Sequence, residues 1–590
     1  MAARLRIALL VAGSLALPGA ARAASAPAVE ARNGMVVSSQ ALASQVGADI
    51  LGAGGNAIDA AVAVAFAEAV VNPCCGNLGG GGFLVLHTGD GRSRFVNFRE
   101  TAPGEATRDM YLDGAGNVVK GASLKGWKAA GVPGTVLGLT TALARYGTLP
   151  LTRVVAPAIT LARDGFVLTR GDTDILASGT ATFRADPAIA RPFLRPDGTP
   201  LEPGERLTQP DLARTLQAIA AGGADAFYRG EIPARIEAAS RAGGGLLTAA
   251  DFAAYAVTED APLSCPYRGA TILAAPPPSS GGTTLCEMLA ILDGYDLAAS
   301  GFNSARSVHL MVEAMRRAYA DRNATLGDPA FVTNPVARLI SPAYAARMRE
   351  GIDPDRATPS AQVRPDPTLI PQEERPETTH ISVLDRAGNA VALTYTINGY
   401  FGAGVIAPGT GFFMNDEMDD FTVKVGVPNL FGLVQGTPNA IAPGKRPLSS
   451  MTPTVVLRGG KPVMVAGSPG GSRIITINAQ AIINMLDHGM QPQEAVDAPR
   501  IHHQWLPDTI AAEPFALSAD TLAVLKGMGH SVTVQSPWGA EELIAVDGAA
   551  PPREGPASSG NDASRTGRMR PDRIYGATDN RRPAGAAIGH

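Results

Sequence analysis

Five short stretches carry the side chains able to do chemistry. Glu377-Thr378-Thr379-His380 sets a hydroxyl nucleophile where a polar connector ends and an alternating apolar strand begins. Arg99-Glu100 follows an apolar run and offers a guanidinium fork, a shape suited to holding a carboxylate with two hydrogen bonds. Asn415-Asp416-Glu417-Met418-Asp419-Asp420 concentrates acceptors of the kind an ammonium needs. Arg446-Pro447-Leu448-Ser449-Ser450-Met451 brings two hydroxyls side by side. Gly467-Ser468-Pro469-Gly470-Gly471-Ser472-Arg473 puts glycines just ahead of a helix, where backbone N–H groups lack acceptors. Each has a plainer reading by itself. A threonine opening a strand is a good β-former, a charged residue most often ends in a surface salt bridge, and a glycine pair makes a tight turn.

Other patterns point to no cofactor and no metal. Gly52-Ala53-Gly54-Gly55-Asn56-Ala57 satisfies a loose dinucleotide pattern, but a helix precedes it where that fingerprint needs a strand. Gly79 to Gly82 lack the Lys-Ser/Thr of a phosphate loop. Pro469 occupies the position where a hydrolase nucleophile elbow has serine. His502 and His503 are adjacent and point apart on any regular element, and no Cys-x-x-Cys occurs among the four cysteines. Cys265 and Cys286 can pair in an oxidising compartment, whereas a bridge between the neighbours Cys74 and Cys75 is expected to be strained.

The elements that position these stretches are legible in outline. Leu42, Val46 and Ile50 recur every fourth residue of a first helix, and Asn56 caps a second that carries Ile58, Val62, Phe66 and Val70. Phe83-Leu84-Val85-Leu86 and Phe95 to Arg99 read as strands. Residues 130–340 alternate Ala/Leu-rich helical stretches with Pro/Gly turns, and 353–377 reads as an exposed connector rich in Pro, Glu, Arg and Asp. Ile381, Val383 and the run Val391 to Thr396 then flank the turn Arg386-Ala387-Gly388-Asn389. A second hairpin pairs Thr454 to Leu457 with Val463 to Val465, and a helix follows with Ile475, Ala479, Ile482 and Leu486 on one face. Residues 549–573 read as a surface loop.

Taken together, in this order and spacing, the five stretches closely resemble the γ-glutamyltransferase family of N-terminal nucleophile hydrolases, over about Gly34 to Asn580. The resemblance implies an α/β (α+β) fold, the four-layer αββα sandwich. It implies self-cleavage at Glu377–Thr378 into a large subunit, 24–377, and a small catalytic subunit, 378–590, that stay intertwined. Thr378 is then the nucleophile and its new α-amine the base. Thr396 orients the hydroxyl, and Gly470 and Gly471 form the oxyanion hole. Arg99, Ser449 and Ser450 bind the α-carboxylate of the substrate, while Asn398, Glu417 and Asp420 bind its α-ammonium. The implied substrates are glutathione and other γ-glutamyl compounds, with water, amino acids or peptides as acceptors. One position departs from the pattern: Val427-Pro428-Asn429-Leu430-Phe431-Gly432 resembles a lid loop in which relatives commonly carry tyrosine at Phe431. Without a hydroxyl to reach Asn398, this lid is expected to close by apolar packing alone.

Composition agrees with an exported enzyme. Arg4 and Arg6, the apolar run Ile7 to Ala20 and Ala21-Arg22-Ala23 form a cleavable signal peptide, residues 1–23. No later run is long enough to span a membrane, so the mature chain is expected to be periplasmic or secreted and off the membrane. With 50 basic and 54 acidic residues dispersed along the chain, no basic stripe for nucleic acid exists.

Overall fold

Period-two patterning decides the architecture. Along the strand Gly81–His87 every side chain is buried, because alternate residues serve two different cores. Phe83 and Val85 face inward between two sheets, and Leu84 and Leu86 face a helical layer. The strand Thr454–Arg458 repeats this logic, with Val455 and Leu457 in the inter-sheet core and Val456 on the opposite side. A strand apolar on both faces needs a partner layer on each, and the result is four layers.

The computed structural model describes residues 25–363, 378–549 and 569–590. Two seven-stranded antiparallel sheets face each other. The first sheet runs, edge to edge, Ala586–Gly589, Gly34–Ser38, Thr379–Asp385, Ala390–Thr396, Gly81–His87, Ser93–Phe98, Thr258–Asp260. The facing sheet runs Val29–Ala31, Ile574–Ala577, Leu543–Val546, Lys461–Ala466, Thr454–Arg458, Ala270–Ala274, Leu263–Tyr267. Each sheet contains strands from both sides of the 377/378 junction, hydrogen-bonded to one another. Helices Ala41–Gly52, Ala57–Val71 and Thr135–Tyr146 cover the first sheet, and Gly281–Leu292, Ala305–Thr325 and Ile474–Leu486 cover the other. Helix Ala57–Val71 is buried all round, as a helix apolar at all but Asp59 and Glu68 must be, and Asn56 and Asp59 close its first turn as a capping box. In the inter-sheet core Phe83 and Phe95 stack with centroids 5.5 Å apart. Truncating either to alanine is expected to cost about 3–5 kcal/mol.

The expected α+β sandwich is therefore present. Cys265 and Cys286 are bridged, tying strand Leu263–Tyr267 to helix Gly281–Leu292. Cys74 and Cys75 are bridged as well, at the 3.8 Å Cα spacing of ordinary neighbours, so adjacency did not keep them apart. Among the described residues no helix is long and apolar enough to cross a membrane. The signal peptide, Glu377 with most of the connector before it, and residues 550–568 lie outside the described residues.

Candidate active site

Strand alternation assembles the centre. Thr379 pairs with Tyr395 and His380 with Thr394, so continuing the register sets Thr378 opposite Thr396. Thr378, His380, Thr394 and Thr396 then share the face turned toward the second sheet. His380 is enclosed there, its Nδ1 against Thr394 Oγ1 (2.7 Å) and its Nε2 against Ser382 Oγ (3.1 Å), and burial pushes its pKa down to about 3. It is a neutral packing residue, as its place in the strand suggests. Beyond Thr396 the chain turns sharply: Asn398 adopts a left-handed backbone (φ 71°) that asparagine tolerates, and its N–H donates to Thr396 Oγ1 at 2.8 Å.

From the facing sheet, strand Lys461–Ala466 runs into Gly470-Gly471 at the start of a helical turn. Gly471 takes a positive φ of 55°, and a Cβ there would stand 2.3 Å from the Phe431 ring. Glycine is required on both counts. The loop through Ser449-Ser450 closes the third side, held by the Ser449 N–H donating to Pro278 O (2.9 Å). Thr378, Thr396, Arg99, Asn398, Glu417, Asp420, Ser449, Ser450 and Gly471 all line one narrow cavity of about 20 Å³, room for about one water. Gly470 faces a different and wider cavity.

Charge in the narrow cavity is unbalanced. Arg99 is fully buried. Its Nη2 donates to Asp420 Oδ2 at 2.5 Å, its Nη1 to Glu417 and, at 3.3 Å, to Glu100, and its Nε to Pro447 O at 3.2 Å. The fork expected to meet a carboxylate thus meets the acids expected to meet an ammonium. Burial raises the pKa of Glu100 to about 7 despite Arg99, drives Glu417 well above the carboxylate range, and raises Asp420 against the pull of Arg99. Behind them burial lifts Asp416 to about 8 and Asp419 to about 6. Asn398 Nδ2 is committed to Asp416 O (3.1 Å), which leaves its Oδ1 as the side chain's acceptor.

Two features escaped the sequence. Arg322 lines the same cavity, buried, donating to Ser450 Oγ (3.0 Å), Ser280 Oγ (2.9 Å), Asn323 Oδ1 (2.9 Å) and Gln435 Oε1 (3.1 Å). Burial lowers its pKa to about 10. A signal existed: Val308, Val312, Met315, Tyr319 and Arg322 form one helical stripe, all buried, and an arginine on an apolar stripe asks for a reason. The lid loop is also closed over the cavity, but not by apolar packing alone. Phe431 lies buried against Gly471, while Leu430 N–H donates to Asp419 Oδ2 (2.6 Å) and Asn429 Nδ2 to Asp420 Oδ1 (3.2 Å). Hydrogen bonds to the acidic turn take the place of the missing tyrosine contact.

Two facing antiparallel sheets between helical layers, with a threonine heading a central strand at a cavity between them, define the class: an N-terminal nucleophile hydrolase. The sequence model of the Gamma-glutamyltranspeptidase family matches residues 43–588, and the chain belongs to that family. It is 51% identical over 568 residues to a glutathione hydrolase proenzyme of Pseudomonas sp. (strain A14), covering 96% of each chain. It is 47% identical over 518 residues to the glutathione hydrolase proenzyme of Escherichia coli (strain K12), covering 88% of this chain and 89% of that one. Its fold also matches the crystal structure of a cephalosporin acylase from Bacillus halodurans, with a TM-score of 0.80, 27% identity, and coverage of 98% and 99%.

Proposed function

We propose that the protein is an exported γ-glutamyltransferase with glutathione hydrolase activity, made as a single-chain precursor that cuts itself between Glu377 and Thr378. The observation that carries this reading is Thr378 heading its strand inside a cavity that holds Arg99, Asp420, Ser449-Ser450 and Gly471. In the maturation step Thr378 Oγ1 attacks the Glu377 carbonyl, the acyl group moves from nitrogen to oxygen, and water hydrolyses the ester. Residues 24–377 and 378–590 become separate chains held together by the sheets they share. The new α-amine, with a reference pKa of about 7.7–8.0, accepts a proton near neutrality far better than lysine. Thr378 then supplies both nucleophile and base.

In turnover Thr378 Oγ1 attacks the γ-carbonyl of the donor. The N–H groups of Gly470 and Gly471 receive the oxyanion, and the leaving amine takes the proton from the α-amine. Water or a second amine then attacks the γ-glutamyl ester. Thr396 fixes the hydroxyl, Ser449, Ser450 and Arg99 take the α-carboxylate, and Asp420, Glu417 and Asn398 take the α-ammonium. A zwitterionic head group carries both charges needed to replace the Arg99–Asp420 and Arg99–Glu417 pairs one for one. No cofactor is called for, and the signal-peptide pattern of residues 1–23 supports a periplasmic or secreted site of action. Purified protein should show two chains on a denaturing gel, the smaller beginning at Thr378, and should release the anilide from a γ-glutamyl anilide. Thr378→Ala should stay whole and inactive. Cleavage of the alanine variant at the same bond would assign maturation to an outside protease.

The likeness to a cephalosporin acylase favours a second reading, acyl transfer from glutaryl-type substrates that lack the α-amine. Asp420 speaks against it, because such a substrate would leave that carboxylate facing a methylene.

A further inference from the structure

Arg322 is the cation of the narrow cavity that no acid answers. It is buried, and its four hydrogen bonds all end on neutral oxygens: Ser280 Oγ, Ser450 Oγ, Asn323 Oδ1 and Gln435 Oε1. Among the described residues no carboxylate lies within ion-pair distance of it, whereas Arg99 holds three. Burial lowers its pKa to about 10, still above neutrality, so the guanidinium is charged. A buried charge without a counter-charge is costly, and its place in the wall of a substrate cavity gives it a use.

The bonds of Arg322 reach both serines of that wall. Nη2 donates directly to Ser450 Oγ at 3.0 Å. Nε donates to Ser280 Oγ at 2.9 Å, and the Ser280 hydroxyl donates in turn to Ser449 O at 2.7 Å. The direction of these bonds matters. Ser450 Oγ accepts from Arg322, and Ser449 Oγ accepts from the Met451 N–H at 3.0 Å, so each hydroxyl keeps its own proton to give. Among the described residues neither hydroxyl donates to a protein acceptor, and both serines line the cavity. An anion entering there meets two O–H donors side by side with a positive charge behind them, an arrangement suited to a carboxylate.

We propose that Arg322 is the positioning residue for the α-carboxylate of the donor: it turns the Ser449 and Ser450 hydroxyls toward that group, supplies the charge behind them, and so sets the requirement for it. The inference rests on the γ-glutamyl reading and refines it. The three acids gather on Arg99 while Arg322 backs the serines, so the cavity offers a negative excess and a separate positive charge, the complement of a zwitterion. Arg322 bonds to no reacting atom and moves no proton. Its removal should therefore weaken donor binding more than the chemical step.

The test compares a γ-glutamyl anilide with 4-aminobutyryl anilide, the same donor without its α-carboxylate. The mature wild type is expected to favour the γ-glutamyl compound by about a hundredfold or more in kcat/KM. Arg322→Gln should cut that preference by about tenfold, chiefly by raising the γ-glutamyl KM, and Arg322→Lys, which keeps the charge, should restore part of it. Loss of a merely structural arginine would slow both anilides alike and leave the preference where it was. Should Arg322→Gln fail to mature, Asn323→Asp decides: it leaves the guanidinium in place, gives Nη1 a carboxylate, and should lower the preference in the same way. Equal use of both anilides by the wild type, or a preference unchanged in the deciding variant, overturns the assignment. Absence of release from the γ-glutamyl anilide by the wild type would instead overturn the γ-glutamyl reading beneath it.

Discussion

Two charge clusters in this fold invite comparison, one at Thr378 and one beneath residues 351–360, the latter buried except for Asp508, whose side chain is 39% exposed. The second joins Glu313 to Arg316 and Arg317, and Arg316 to Asp508 at 3.1 Å. It pins the chain before Thr378: Arg316 Nε donates to Ser360 Oγ (3.1 Å), Ser360 N–H to Asp508 Oδ2 (2.8 Å), and Arg317 Nη2 to Gly351 O (2.5 Å). Two cations meet two carboxylates. Burial works against ionised Glu313, but its two arginines overcome that and hold it below the usual range, and the partners of Asp508 do the same. At Thr378, Arg99 alone pairs with Glu100, Glu417 and Asp420, leaving two carboxylates in excess, while Arg322 hydrogen-bonds to uncharged partners, and there burial wins and pushes the acids up. A balanced cluster holds structure together. An unbalanced one is a site prepared for a charge that the protein does not itself supply.

The sharpest way to break this contrast is to remove one carboxylate from each cluster. Glu313→Gln strips the anion from two buried arginines and should lower the unfolding free energy by about 3–5 kcal/mol, with little change in kcat/KM of the folded fraction. Glu417→Gln removes one of three acids around Arg99 and leaves Glu100 and Asp420 beside it, so stability should change far less, while γ-glutamyl kcat/KM should fall by about tenfold or more. Denaturant unfolding beside anilide kinetics measures both. Equal stability losses, or a catalytic loss in the Glu313 variant, would dissolve the distinction.

Substrate choice sharpens it next. A glutaryl substrate brings no ammonium, and leaving Asp420 unpaired costs about 1–3 kcal/mol, more when it is charged. At about 1.4 kcal/mol per decade the wild type should favour γ-glutamyl over glutaryl anilide by ten- to a hundredfold in kcat/KM. Asp420→Asn should narrow the gap chiefly by harming the γ-glutamyl reaction. A wild type that hydrolyses the glutaryl compound equally well would hand the site to the acylase reading.

The pH dependence of stability should run in opposite directions. Glu100, lifted to about 7, keeps a proton that the unfolded chain releases, so its contribution is full below the ordinary carboxylate pKa of about 4.5 and is lost as pH rises through about 7, and Glu417, also raised by burial, acts in the same direction. Beneath the connector, burial lowers His503 and His530 to about 4, and the two arginines hold Glu313 low. The histidine contribution is full above about 6.5 and lost as pH falls through about 4. Unfolding midpoints across pH 4–8 should therefore lose part of their upper slope in Glu100→Gln and part of their lower slope in His530→Gln. The reverse assignment would mean that the pocket acids are ionised.

How much of this was legible beforehand follows from the range of each interaction. The Asn56–Asp59 cap, both hairpins and the helix Ile474–Leu486 rest on local patterning and stand where the residues place them. Leu42 shows the limit of a strict every-fourth-residue stripe. A helix of 3.6 residues per turn drifts from it, and Leu42 is 38% exposed while Ala43 and Gly47 take the buried face. Of the expected site residues only Gly470 falls outside the narrow cavity. Their pairings were not legible: Arg99 meets Glu417 and Asp420 across more than 300 positions, and no spacing rule reports which charges neutralise one another in a folded core. Arg322 was overlooked because its helix was read for apolar content alone.

The smallest expected effect lies at the edge of the unbalanced cluster, where the lid touches it. The loop is already held by Leu430 N–H on Asp419 and Asn429 on Asp420, so a hydroxyl at position 431 adds one contact to a closed arrangement. Phe431→Tyr should let the phenol reach Asn398 Oδ1, the acceptor that its bond to Asp416 leaves over. One added neutral hydrogen bond is worth about 0.5–1.5 kcal/mol, which corresponds to a change of a few-fold up to about tenfold. The change should appear as a shift in the transfer-to-hydrolysis ratio with a fixed dipeptide acceptor, because a tighter lid alters water entry more than donor binding. Disrupting the existing tie with Asn429→Ala should move the ratio the other way. If the tyrosine is seen bonded to Asn398 and the ratio stays put, the lid does not control water entry, and Phe431 serves only to pack against Gly471.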